Sequence, residues 1–229
     1  MLLRSAEIEY LKELILRMAS MVQRAIKDSV HSLVERDSDL AQKVIAGDHQ
    51  INALDVQIDE ECIKLLARYQ PMAGDLRAIT TAMKVTTDLE RIGDNAVNIA
   101  ERALELNREP QLKPYIDIPH MSQIAQGMVR DTIEAFVQYD KKLAMDVIVR
   151  DDEVDDLTEA VFEELVAIMR RDPETIDRAI QVTYVAKYLE RIADHATNIA
   201  EMIIYMIEGK IVRHMEIHKG EMPSPPESG

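Results

Sequence analysis

Tryptophan is absent from the 229 residues, phenylalanine occurs twice, and aromatic residues make up only 4% of the chain. Glycine (7) and proline (8) are also scarce. A fold of many short strands needs both aromatics and turn residues, so this composition points to helices. Cys62 is the only cysteine, which excludes an internal disulfide and fits a reducing compartment. It falls in an apolar helical stretch and reads as core packing. No eighteen apolar residues run together, and charged residues interrupt the opening MLLRSAEIEYLKELILRM. Neither a signal-peptide core nor a membrane span is expected, and the chain reads as soluble and cytoplasmic, with no direct membrane insertion. Lys and Arg number 27 against 42 Asp and Glu, a net charge of -15, with no segregated basic patch. That excludes nucleic acid and anionic membranes as partners. There is no Ser-His-Asp order, no Gly-rich phosphate loop and no cysteine pair. None of the six histidines follows a glutamate at the Glu-x-x-His spacing of ferritin-like di-iron bundles. No enzyme is expected.

What the sequence does contain is helical periodicity. Leu11, Leu14, Ile15, Met18, Val22, Ala25, Ile26 and Val30 recur at three- and four-residue spacing with charges between them. This predicts a helix over residues 5–45, stopped at Gly47, with Asp48 capping a second helix through Tyr69. Pro71 and Gly74 mark a turn, a third helix covers residues 75–107, and Pro110, Pro114 and Pro119 mark a linker. The order then repeats, with helices over 120–149 and 151–171, a turn at Asp172-Pro173, and a last helix to residue 212. The tail GEMPSPPESG reads as disordered. The expected organisation is a first three-helix unit (1–109), a proline-rich linker (110–119), a second three-helix unit (120–213) and a tail (214–229).

The repetition extends to residue identities. DSVHSLVERDSDLAQKVIAGD (28–48) aligns without a gap on DTIEAFVQYDKKLAMDVIVRD (131–151), sharing Asp28/Asp131, Val34/Val137, Asp37/Asp140, Leu40/Leu143 and Val44/Val147. LERIGDNAVNIAE (89–101) matches LERIADHATNIAE (189–201) at nearly every position. The fold class is therefore all-α: two tandem three-helix bundles related by internal duplication.

On the third helix, an advance of about 100° per residue puts Val85, Leu89, Ile92, Ala96, Ile99 and Ala103 on one face as a bundle seam. Glu90, Asp94, Asn98 and Glu101 fall opposite. The last helix repeats this with Glu190, Asp194, Asn198 and Glu201 over Leu189, Ile192, Ala196 and Ile199. Asp48, Asn52, Asp55 and Asp59 share a face of the second helix, as do Asp151 and Asp155 of the fifth. Like charges one turn apart repel by roughly a few tenths of a kcal/mol per pair, which a bound cation offsets. Carboxylates at this spacing can chelate or bridge iron, manganese, magnesium or calcium. The alternative is ordinary solvated surface, but Gly93 and Val97 change to Ala193 and Thr197 between the copies while the acids do not. Arg91 and Arg191 are duplicated too, which leaves an ion-pair role for the acids open. His214 and His218 stand one turn apart near the end of the last helix and read as solvated residues. His195 replaces Asn95 between the copies and so lies outside the repeated pattern. No convergent basic site for phosphate is legible.

These motifs resemble the PhoU family of phosphate-uptake regulators: two three-helix units with E(D)xxxD rows and a PxxxDLR stretch before the third helix. The rows are ERIGD (90–94), ERIAD (190–194) and DDEVD (151–155), and the stretch is PMAGDLR (71–77). The resemblance implies a cytoplasmic negative regulator of phosphate uptake and of the phosphate-starvation regulon. Its implied partners are the ATPase subunit of the phosphate ABC transporter and the phosphate-sensing histidine kinase, with the chain itself a homodimer. It also implies multinuclear iron or zinc at the acidic rows, on Asp48, Asn52, Asp55, Glu90 and Asp94 in one unit and Asp151, Asp155, Glu190 and Asp194 in the other. The chain departs from the pattern at DHQIN (48–52), where neutral Asn52 is a weaker ligand, and after Pro173, where no DLR follows. A reading of a different class is a carboxylate-bridged metal-binding protein or metalloenzyme of helical-bundle type.

Overall fold

The computed structural model describes residues 5–210. Six helices account for nearly all of them: α1 (Ser5–Val34), α2 (Ser38–Tyr69), α3 (Ala73–Leu106), α4 (Asp117–Gln138), α5 (Lys141–Arg171) and α6 (Ile176–Glu208). A 3-10 turn, Pro173–Thr175, precedes α6, and no strand occurs among the described residues. The all-α fold of two duplicated three-helix units is as expected. The expected end of the last helix at residue 212, the His214/His218 pair and the tail lie outside the described residues.

Two helix boundaries differ from expectation, and for the same reason in both units. The first helix ends at Val34 rather than running to residue 45, and the fourth ends at Gln138 rather than 149. Arg36 and Tyr139 adopt left-handed backbone conformations, with φ of 58° and 57°. Asp37 and Asp140 then cap the next helix, their side chains accepting from the Leu40 and Leu143 amides at 2.9 and 3.0 Å. Apolar periodicity runs straight through both turns, and no glycine or proline marks them. Arg36 offsets the cost of its conformation, about 1–2 kcal/mol, by donating to the Asn107 and Glu109 carbonyls at 2.7 Å each. This ties the α1–α2 turn to the end of α3. Gly47 and Asp48 lie inside α2, not at its start.

The linker is pinned rather than loose. Tyr115 is buried, Arg178 of α6 donates to the Pro110 carbonyl at 2.9 Å, and Lys113 pairs with Glu164. Pro119 sits in the first turn of α4, where the missing N–H costs no helical hydrogen bond.

Helices α3 and α6 form the centre. Each packs on the other two helices of its own unit and on each other, while α1 packs on α4. α2 and α5 lie on opposite flanks, in contact only with their own units among the described residues. The predicted seam residues Val85, Leu89, Ile92, Ala96, Ile99 and Ala103 are fully buried, as are Leu189, Ile192, Ala196 and Ile199, all in one continuous core. Cys62 is fully buried in it. Burial, with Asp59 and Glu61 nearby, pushes its thiol up to about 12.

Two stability measurements follow. Asp37→Ala removes a cap and is expected to cost about 1 kcal/mol in urea unfolding. Gly47→Ala is expected to add about 0.5–1 kcal/mol, because Gly47 is helical and a Cβ there meets nothing within 4 Å.

Candidate functional site

The first acidic cluster forms where α2 lies against α3. Gly93 allows this approach: a Cβ there would stand 3.2 Å from Ile51 Cδ1, and Asp48 Oδ1 is just beyond at 3.9 Å. Asp48 and Asp94 are thus brought together, and with them Asp55 and Glu90. Partial burial raises the pKa of Asp94, and Asp48 adds to the rise. Glu90 is raised by burial, then by Asp94, and further by Asp55 and Asp48. Asp55 is raised by burial and by Asp59. Arg91 opposes all three shifts, standing 3.5 Å from Glu90 and 3.7 Å from Asp94. Asn52 donates to Asp48 Oδ2 at 2.7 Å, while Asp48 Oδ1 is buried with no hydrogen-bond partner.

The second cluster repeats this between α5 and α6, and His195 and Arg191 as well as Lys187 oppose the rise at Asp194. Asp151 is pushed up to about 7, first by burial and then by Asp194 and Asp155. Asp155 is raised by burial, Glu190 and Asp194, and Asp194 by burial and Glu190. Lys187, paired with Glu190, partly opposes these shifts. Asp151 Oδ1 is buried without a partner. The buried Thr197 hydroxyl also lacks a hydrogen bond of ordinary geometry, yet it is near enough to favour the charged carboxylate slightly.

The structure therefore brings Asp48, Asp55, Glu90 and Asp94 together on one flank, with Asn52 bound to Asp48, and Asp151, Asp155, Glu190 and Asp194 on the other. Clustered hard oxygen donors, one orphaned oxygen in each cluster and raised pKa values fit a divalent cation. Each cluster holds four carboxylates, the first having Asp55 and the neutral amide of Asn52 where the second has Thr158 and Asp155. Among the described residues, no three of these donors converge closely enough to grip an ion as the side chains now stand. Glu101 does not join the first cluster; it lies beside Arg102 at 3.8 Å.

Between the clusters, α3 and α6 border a cleft of about 600 Å³. Arg91, Asp94 and Asn98 line it from α3, and Arg191, Asp194, His195 and Asn198 from α6. Asp94 and Asp194 thus belong both to the clusters and to the cleft. Sequence reasoning found no basic convergence, whereas the fold brings two arginines and a histidine to one place, with two aspartates balancing them. It also passed over His195, whose Nδ1 lies 2.7 Å from Asp88 Oδ1 across the two units. The only signal was the break in the repeat: Asn95 and Tyr188 occupy the corresponding positions of the other unit.

The duplicated helical unit with its two acidic flanks is the architecture of a PhoU-domain protein. A family profile described as "PhoU domain" matches residues 15–103 and again 118–203. The chain belongs to the PhoU family. A relative from Aquifex aeolicus is 48% identical over 216 residues, covering 94% of this chain and 98% of its own. One from Pseudomonas aeruginosa is 41% identical over 212 residues, covering 92% and 88%. Both are described as "Phosphate-specific transport system accessory protein PhoU homolog". The crystal structure of PhoU from Pseudomonas aeruginosa superposes with a TM-score of 0.86, covering 90% of this chain and 99% of that one at 41% identity. That of the phosphate transport system regulatory protein PhoU from Streptococcus pneumoniae gives 0.85, covering 90% and 98% at 29% identity.

Asp151 makes stability depend on pH. A carboxyl whose pKa is higher folded than unfolded binds its proton more tightly in the folded state, so its effect lowers stability as pH rises from about 4 to about 7. In chelator-treated protein, Asp151→Asn is expected to be more stable than the parent at pH 8 by on the order of 1–2 kcal/mol, after discounting for partial exposure. The difference should vanish toward pH 4 in denaturant titrations.

Proposed function

We propose that this chain is a non-enzymatic accessory protein of the phosphate transport system. It acts in the cytoplasm as a docking adaptor between the ATPase subunit of the phosphate ABC transporter and the phosphate-sensing histidine kinase, where it holds uptake and the starvation response down. The observation that carries this reading is likeness along nearly the whole chain, both units included, to relatives described as phosphate transport accessory proteins. No helix among the described residues is long and apolar enough to cross a membrane, so in this reading the chain reaches the transporter by contact. Homodimerisation belongs to the same proposal.

The acidic clusters are proposed to hold divalent metal, iron or zinc among the candidates, on Asp48, Asn52, Asp55, Glu90 and Asp94 and on Asp151, Asp155, Glu190 and Asp194. Such an ion supplies positive charge that relieves the mutual repulsion of the carboxylates. The unpaired oxygens of Asp48 and Asp151 support this reading over a solvated surface. Elemental analysis of protein purified without chelator or affinity metal is expected to find stoichiometric metal that is lost when Glu90, Asp94, Glu190 and Asp194 are all changed to Ala. Metal-free parent protein would remove the metal proposal alone. For the adaptor role, deletion of the gene is expected to release phosphate-scavenging genes in rich phosphate. Normal repression in the deletion strain would count against it.

A further inference from the structure

The flank of α5 and α6 exposes two aromatic side chains, Phe162 and Tyr184, where α2 and α3 carry Asp59 and Lys84. On α6, Ile176, Ile180 and Tyr184 are 40%, 40% and 49% exposed and stand one turn apart in a single stripe, which Tyr188 continues. Phe162 of α5, 51% exposed, stands beside them. Of these, Phe162 and Tyr184 border a groove of about 440 Å³ between α5 and α6, and Ile176 and Ile180 extend the apolar stripe along α6 beyond it. Its floor includes Val161, which is fully buried, and Ala186. Two threonines also line the groove, but their hydroxyls are engaged with their own helices, Thr158 with the Val154 carbonyl at 2.9 Å and Thr183 with that of Ala179 at 3.0 Å. Tyr184 and Tyr188 stack with ring centroids 6.3 Å apart, and Arg191 covers Tyr188 at 5.9 Å, so the stripe is held in shape.

The duplication supplies an internal control. Where the second unit has Ile176, Ile180, Tyr184 and Tyr188, the first has Leu76, Thr80, Lys84 and Asp88. Where α5 has Phe162, the corresponding place in α2 is Asp59. The same scaffold therefore folds with polar or charged groups at four of these five positions, Leu76 being the exception, and helix packing does not require Ile180, Tyr184, Tyr188 or Phe162. Exposed apolar residues that a fold does not need mark a contact surface.

We propose that the α5–α6 groove is the docking site for an amphipathic helix of a partner protein, its apolar face flanked by lysines and arginines. The proposal deepens the adaptor reading and rests on it. A groove between two helices accepts a third helix by ridge packing, and a stripe from Ile176 to Tyr188 is about 18 Å long, a little over three turns. The charge of the partner follows from the rim. Asp155, Glu159 and Glu190 border the groove, while the nearby cations are engaged, Lys187 with Glu190 and Arg191 over Tyr188; with a metal ion on Asp155 and Glu190, Glu159 and the chain's net charge of -15 still set a negative sign. A second copy of this chain would set like rims against each other, and an anionic lipid surface would be repelled, whereas a basic helix is attracted.

The test uses a fluorescein-labelled helical peptide of leucine and lysine with one apolar face, and an isomer of the same composition without one. The full chain is expected to bind the first peptide and not the isomer by anisotropy, with affinity falling as salt rises. Phe162→Asp with Tyr184→Lys installs the first unit's residues. It is expected to weaken binding about tenfold or more while leaving circular dichroism and melting temperature unchanged. Equal binding of both peptides, undiminished binding by the double variant, or a change of oligomeric state in that variant would each overturn the proposal. Binding of parent and variant to the purified transporter ATPase is measured in parallel. If the parent does not bind the ATPase, the adaptor reading fails whatever the peptides do. If both bind it equally, the adaptor reading stands and this groove is not its docking site.

Discussion

Helices α3 and α6 each have to bury two surfaces at once, one against their own unit and one against each other. That demand uses most of the circumference of both helices and confines their charged residues to narrow strips at the edges of the contact. Glu90 and Asp94 are left at the border with α2, Glu190 and Asp194 at the border with α5. The carboxylates are neither buried outright nor free in water, which is why partial burial is the largest cause of every raised carboxylate pKa in the two clusters. A fully exposed row of the same acids would be screened, and a fully buried one would be neutral.

Most of this was legible from the residues. The seam positions of α3 and α6 repeat with helical period, and the structure buries them all. Of the acids that recur between the copies, Asp48/Asp151, Glu90/Glu190 and Asp94/Asp194 cluster, while Glu101 does not. What was misread were the turns after α1 and α4. Asp37 and Asp140 were visible as a repeated pair, but they cap helices that begin in the middle of an unbroken apolar pattern. The left-handed residues before them are arginine and tyrosine, which carry no turn signature. Gly47 and Asp48 looked like a stop and a start, yet the helix runs through them, because a glycine in a helix costs only about 1 kcal/mol. The basic side of the α3–α6 cleft was invisible for a different reason. Its arginines lie a hundred residues apart, and only the packing of the two helices brings them together.

The two units share a plan and differ in charge. The first cluster contains a neutral amide and is faced by Arg91, while the second has Asp155 in that place and Lys187 as its nearest cation. The outer surfaces diverge further, with Lys84 and Asp59 on one side matched by Tyr184 and Phe162 on the other. Equivalent backbone therefore presents two chemically distinct flanks, one with Lys84 and Asp59 and the other with exposed aromatic rings above an acidic rim.

The contact of α3 with α6 also constrains how such a chain can have arisen. A lone three-helix unit leaves the inner face of its third helix bare, and the partner that matches this face best is another copy of the same unit. In such a pair, an axis of twofold symmetry would run through the cleft, and every cleft residue would appear there twice. Joining the copies in one polypeptide lifts that requirement, since each position can then mutate alone. His195 against Asp88, with Asn95 and Tyr188 at the mirrored places, is a pairing that no symmetric ancestor could make singly.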